Sequence, residues 1–111
     1  MQGEPDFDVT TRRTTDGVVV AVRGEIDLVT VGELRTHVEQ ASLDTDRLYL
    51  DFREVSFIDS AGVRLVVEGA RDLEAKGGEL VVIRGSFVVK RVFELVGLEG
   101  RVRMVDAPPD E

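Results

Sequence analysis

Two spacings of apolar residues alternate along this chain, one of about two residues and one of three to four. From Phe7 to Thr14 the pattern is alternating: Phe7, Val9 and Thr11 share a face, and four of the residues are β-branched. That spacing predicts a strand. Thr15-Asp16-Gly17 reads as a hairpin turn. Val18-Val19-Val20-Ala21-Val22 predicts a second strand, apolar enough to be covered on much of both faces. Gly24-Glu25-Ile26-Asp27 is expected to end it. The period then changes. Val31, Leu34, Val38 and Ala41 recur at helical intervals, and Thr30 with Glu33 three residues on has capping-box spacing. Leu48, Leu50 and Phe52 return to alternation and predict a third strand over 48–52. Val55 to Ile58 reads as an apolar return leading to a helix from about Ser60 to Lys76. In that helix Leu65, Val66, Gly69, Ala70 and Leu73 line one face, and Arg64, Glu68, Arg71 and Asp72 the other. Gly77 suits the left-handed position after its end. Leu80-Val81-Val82-Ile83 predicts a short buried strand. Ser86 is placed to cap a third helix with Val88, Val89, Val92, Phe93 and Val96 on its apolar face. Gly97-Leu98 closes it, and residues 101–105 predict a last strand.

The predicted order is β-β-α-β-α-β-α-β. It implies one α/β domain over 7–105 with a mixed sheet: an antiparallel N-terminal hairpin, then parallel strands joined by right-handed crossovers. Residues 1–6 and 106–111 are expected to be disordered ends. In such sheets, sites form at the carboxyl ends of parallel strands. Three loops qualify, over 24–30, 53–60 and 84–87.

Composition narrows the function. Of 111 residues, 42% are apolar and 32% charged, which fits a soluble globular domain. No run of about 18 apolar residues is present to span a membrane. The N-terminus lacks the basic and apolar regions of a secretory signal, and there is no cysteine. A cytoplasmic location is expected. The formal net charge of −8 argues against binding nucleic acid directly and against anionic membranes. Proteins are the expected partners.

The candidate chemistry centres on Phe57-Ile58-Asp59-Ser60-Ala61-Gly62. A nucleophilic serine needs a base within hydrogen-bond reach. The only histidine, His37, falls inside a predicted helix, and the Gly-x-Ser-x-Gly elbow is absent. Phosphate-cradling glycine loops are also absent. A phospho-receiver role for Asp51 lacks the acidic cluster it would need after the first strand. An enzyme is therefore not expected, nor a cofactor, nor a resident metal. Ser60 has a plain reading as a helix N-cap, a role that contributes roughly 1 kcal/mol. It also has a regulatory one: small neighbours leave its hydroxyl open, and a phosphate there would add about −1.5 to −2 charges beside Asp59. Thr30, Ser56 and Ser86 are rival hydroxyls, with Ser56 expected to be the less accessible.

These residues also carry a resemblance. Gly24-Glu25-Ile26-Asp27, Leu50-Asp51-Phe52, Phe57 to Gly62, Gly77-Gly78-Glu79-Leu80 and Phe93 to Leu98 together resemble the STAS domain, and more narrowly the bacterial anti-sigma factor antagonists. The resemblance covers about residues 7–105. It implies a fold with helices mainly on one face of the sheet. It implies that the unphosphorylated protein binds an anti-sigma factor that is also a serine kinase, with ATP bound by that partner, and so frees a sigma factor. Phosphorylation of Ser60 would end the complex, and a metal-dependent serine phosphatase would restore it. By the same resemblance Asp27 and Glu25 contact the partner, together with Asp59, Ala61, Gly62, Val63 and Arg64. Val63 and Arg64 depart from the small or apolar pair that many members carry, which bears on partner choice. The alternative is a STAS module without a phospho-switch, acting as a scaffold or as an accessory subunit of a transport complex. Weak nucleotide binding near the same loops is a further possibility.

Overall fold

Strands β1 (Asp8–Thr14) and β2 (Gly17–Ile26) form the antiparallel hairpin that Asp16-Gly17 predicts. In this computed structural model, which describes residues 6–111, the chain continues through α1 (Val31–Ser42), β3 (Arg47–Ile58), α2 (Ser60–Ala75), β4 (Glu79–Ile83), α3 (Phe87–Leu95) and β5 (Arg103–Val105). The expected loose N-terminus falls almost entirely outside the described residues. A single turn of 3-10 helix, Leu98–Gly100, follows α3, and the last strand covers only Arg103–Val105 of the expected 101–105. The five strands lie in chain order, with β2-β3, β3-β4 and β4-β5 all parallel.

Strand alternation sends residues to two different faces. Val18, Val20, Val22, Leu48, Leu50, Phe52, Leu80 and Val82 face the helices, and Leu34 and Val38 of α1, Leu65, Val66 and Leu73 of α2, and Val89 and Phe93 of α3 meet them in one core. All three helices therefore cover the same face. Phe52 and Phe93 pack with ring centroids 6.0 Å apart. Each fully buried Leu, Ile or Phe contributes about 1.5–3 kcal/mol. That core, not the loops, holds the fold.

The opposite face carries a smaller apolar strip, Val19, Tyr49, Val81 and Ile83, with Val105 beside it. Residues 106–111, expected as a frayed tail, lie back towards this face. Asp106 pairs with Arg84, Asp110 with Arg12 and Glu111 with Arg53, and Pro108 is buried. The Arg12 and Arg53 guanidinium groups hold the Asp110 and Glu111 carboxyls below their usual range through direct hydrogen bonds.

Three sequence expectations change. First, β3 does not stop at Phe52. It runs to Ile58, because β2 also runs on to Ile26 and stays paired with it. Two register shifts, between Ala21 and Arg23 and between Gly24 and Glu25, each place an extra residue on β3. Those bulges bring Phe52, Val55 and Ile58 inward at every third position. Second, Thr30 makes no capping box with Glu33, since its hydroxyl is engaged behind the helix. Third, only part of the α3 apolar face is covered: Val89 and Phe93 are buried, whereas Val88 and Val96 are exposed, as are Phe87 and Leu95.

The end of α2 follows the sequence closely. Gly77 has φ +83, its N–H donates to the Glu74 carbonyl at 3.0 Å, and the Gly78 N–H donates to the Leu73 carbonyl at 2.7 Å. This is the Schellman arrangement, and it needs the left-handed residue that glycine supplies.

Candidate functional site

The bulged extension of β3 delivers the chain directly to Ser60. Only Asp59 separates the last strand residue, Ile58, from the first helical one. Its N–H donates to the Ile26 carbonyl at 3.1 Å, which stitches the 26–30 loop to the start of α2. The two loops that sequence reasoning treated separately are thus neighbours, and Asp27 follows immediately from the shared contact.

Asp59, not Ser60, is the N-cap of α2. Its Oδ1 accepts from the N–H groups of Ala61 at 2.9 Å and Gly62 at 3.4 Å. Ser60 stands one position further on, exposed. Its side chain makes no hydrogen bond among the described residues. The capping explanation for a serine here is therefore filled by its neighbour, and the hydroxyl is left to solvent.

The other candidate residues divide. Glu25 and Arg64 are exposed; Ala61 and Val63 are half-buried. Asp27 is half-buried, and its Oδ1 accepts from Val29 N at 2.9 Å and Thr30 N at 3.0 Å. Gly62 does not belong on a contact surface. It is buried, and a Cβ there would lie 2.5 Å from Ile58 Cγ1 and 2.8 Å from Ile26 Cγ2. Its smallness lets the helix start pack onto the strand ends, so it positions Ser60 from behind.

The rival hydroxyls are also resolved. Thr30 is buried; it donates to the Glu25 carbonyl at 2.7 Å and accepts from Asp27 N at 2.9 Å. Ser86 caps α3 and donates to the Val55 carbonyl at 3.3 Å. Ser56, expected to be shielded, is exposed, because the bulge turns it outward.

Sequence reasoning missed the apolar part of this surface. Leu28 is 81% exposed, Val29 69%, Phe87 78% and Phe57 43%. Leu28 and Val29 lie in the loop stitched to Asp59. Phe57 pairs in register with Glu25, and the Ser86–Val55 hydrogen bond sets the start of α3 beside the same strand. The clue was available: Leu28-Val29 sits between an acid and a threonine, off the stripe of either flanking element.

No group of three or more His, Asp or Glu side chains among the described residues is arranged to hold a metal ion. A broad polar cleft opens at the other end of the sheet, lined by Thr14 to Gly17, Asp44 to Arg47 and Gly77 to Glu79. Ser60 takes no part in it. No helix among the described residues is long and apolar enough to cross a membrane. Ser60 thus presents a spare hydroxyl on an exposed surface.

Known proteins share this fold. The chain is 35% identical over 81 residues to the Anti-sigma-B factor antagonist of Staphylococcus aureus, covering 72% of this chain and 75% of that one. It is 34% identical over 74 residues to Osmosensory protein A of Mycobacterium tuberculosis, covering 67% of this chain and 47% of the relative, so it spans about half of that protein. The anti-sigma factor antagonist SpoIIAA in its unphosphorylated form superposes with a TM-score of 0.78 at 30% identity, over 93% of this chain and 90% of that one. The phosphorylated form of Bacillus SpoIIAA superposes with a TM-score of 0.70 at 30% identity, over 94% and 93%. The family model of the STAS domain matches residues 8–108, nearly the whole described chain. With the helix-covered mixed sheet and the Asp59-capped helix as its local counterpart, this chain belongs to the STAS domain family.

Proposed function

We propose that this protein is an anti-sigma factor antagonist whose binding is switched by phosphorylation of Ser60. The observation that carries the reading is the hydroxyl itself: exposed, unbonded and held at the first position of a helix that Asp59 already caps. A group in that position can be modified without removing anything the fold uses.

In the binding state, Leu28, Val29 and Phe57 offer apolar contact, and Glu25, Asp27 and Asp59 an acidic rim. The partner is an anti-sigma factor with serine-kinase activity, which releases its sigma factor on binding. In the modifying step Ser60 Oγ attacks the γ-phosphorus of ATP held by that partner. The Oγ–P bond forms, the bond from phosphorus to the β–γ bridging oxygen breaks, ADP leaves, and the hydroxyl proton passes to a base of the partner. The product carries about −1.5 to −2 added charges. The helix N-terminus favours that charge within the domain, whereas a partner placed against Asp59 and Glu25 meets like-charge repulsion and desolvation cost. A metal-dependent serine phosphatase returns the binding form. The chain itself contributes the substrate side chain and the docking surface, and no catalytic group.

Incubation with the cognate anti-sigma factor and ATP, followed by site mapping by mass spectrometry, tests the reading. Phosphate on Ser60, and none on the Ser60→Ala variant, is the expected result. Phosphate on Ser56 or nowhere contradicts it. A complex that stays intact with or without ATP supports the scaffold or accessory-subunit role instead.

A further inference from the structure

Arg64 is exposed and makes no ion pair among the described residues. It lies four residues beyond Ser60 on α2, one turn along the same side of the helix. Its other neighbour at that spacing, Glu68, already accepts from Arg35 of α1 at 3.0 Å. Asp59 is occupied as the cap, and Asp27 accepts from its own loop. The cation nearest to Ser60 along the helix therefore has no carboxylate assigned to it.

The order of the pair matters. An anion four residues N-terminal to a cation is the favourable orientation on a helix. A guanidinium presents a planar fork that matches two phosphate oxygens, and such charge-assisted pairs are stronger than neutral ones. We propose that Arg64 is the intramolecular counter-ion of a phosphate on Ser60, closing on it once the hydroxyl is modified and withdrawing part of its charge from the docking surface. The inference rests on Ser60 being the phosphoacceptor. It adds that this chain carries a built-in attenuator: the phosphorylated protein repels its partner less than the phosphate alone would make it do.

The test uses the full chain with phosphoserine placed at position 60 during translation, so that no kinase is needed. Phosphorus NMR follows the second ionisation of the phosphate, which ordinarily falls near pH 6. With Arg64 present the midpoint is expected about half a unit lower than in Arg64→Gln, a threefold change in the ionisation constant. Arg64→Lys should recover part of the shift, and high salt should diminish it. In a binding titration, the phosphorylated Arg64→Gln chain should hold the anti-sigma factor about threefold more weakly than the phosphorylated parent. Superimposable phosphate titrations in the parent and Arg64→Gln, with both chains folded by circular dichroism, overturn the counter-ion. That result leaves phosphorylation of Ser60 standing. Conversely, a kinase that ignores Ser60 removes the proposed switch, whatever the NMR titration shows.

Discussion

Helices α1 and α2 begin in nearly the same way, and the difference between them isolates what is special about Ser60. Each is preceded by an aspartate whose Oδ1 accepts from the N–H groups two and three residues on: Val29 and Thr30 for Asp27, Ala61 and Gly62 for Asp59. In each, the N–H four residues on donates to the aspartate carbonyl, at 2.8 Å from Val31 and 3.1 Å from Val63. Both turns also carry a hydroxyl residue. In the first it comes three positions after the aspartate, where it folds back, is buried, and bonds to both Glu25 and Asp27. In the second it comes one position after, where it points outward and bonds to nothing described. Two residues of offset convert a structural hydroxyl into an available one.

Glycine substitutions separate the two helix mouths most strongly. Gly62→Val must displace Ile58 and Ile26, and overpacking of this kind is expected to cost about 3 kcal/mol. Gly32, in the first turn of α1, has open space where a Cβ would stand, so Gly32→Ala should raise stability by about 0.5–1 kcal/mol. Urea unfolding of both variants measures the contrast. A Gly62→Val protein as stable as the parent would mean the packing argument fails.

The hydroxyls come next. Thr30→Val strips two bonds from a buried site and should cost about 1–3 kcal/mol. Ser60→Ala should stay within about 0.5 kcal/mol of the parent. A destabilised Ser60→Ala protein would show that the serine has a structural duty after all. Asp59→Ala should cost about 1 kcal/mol by loss of the cap, and Asp27→Ala about the same by loss of its two loop hydrogen bonds. A much larger loss at one of them would break the parallel between the turns.

The smallest effect lies away from both mouths. The Asp106, Asp110 and Glu111 carboxyls are held below the ordinary carboxyl values by hydrogen bonds from Arg84, Arg12 and Arg53. Their contribution is present above those values and is lost as pH falls through the lowered ones. NMR of residues 106–111 should therefore show the segment loosening in that acid range, before the core unfolds. These groups are exposed, so the stability at stake is slight. A tail equally mobile at neutral pH would contradict the pairing.

Much of this was legible in the sequence because one period ruled each element. The α2 stripe at Leu65, Val66, Gly69, Ala70 and Leu73 is buried as read, and Gly77 ends the helix as read. The hairpin and strand order follow from Asp16-Gly17 and the alternation around it. What escaped was set by pairs of elements. Val55 to Ile58 looked like a loop because two bulges, visible only against β2, turn alternation into a three-residue repeat. The cap of α2 was open to misreading because Asp59 and Ser60 are both good caps, and the choice depends on where Ile26 anchors Asp59. How little of the apolar face of α3 is covered escaped as well, because a valine-rich stripe does not reveal how much sheet is available to cover it.

In the proposed function, Ser60 controls binding without supporting the fold. Titration calorimetry of the cognate anti-sigma factor against the chain with serine, and then phosphoserine, at position 60 tests it most directly. A loss of about 4 kcal/mol, roughly a thousandfold in affinity, is expected, with the thermal unfolding midpoint of the chain nearly unchanged. Equal affinities for the two forms would contradict it, as would a loss of binding that accompanies unfolding of the domain.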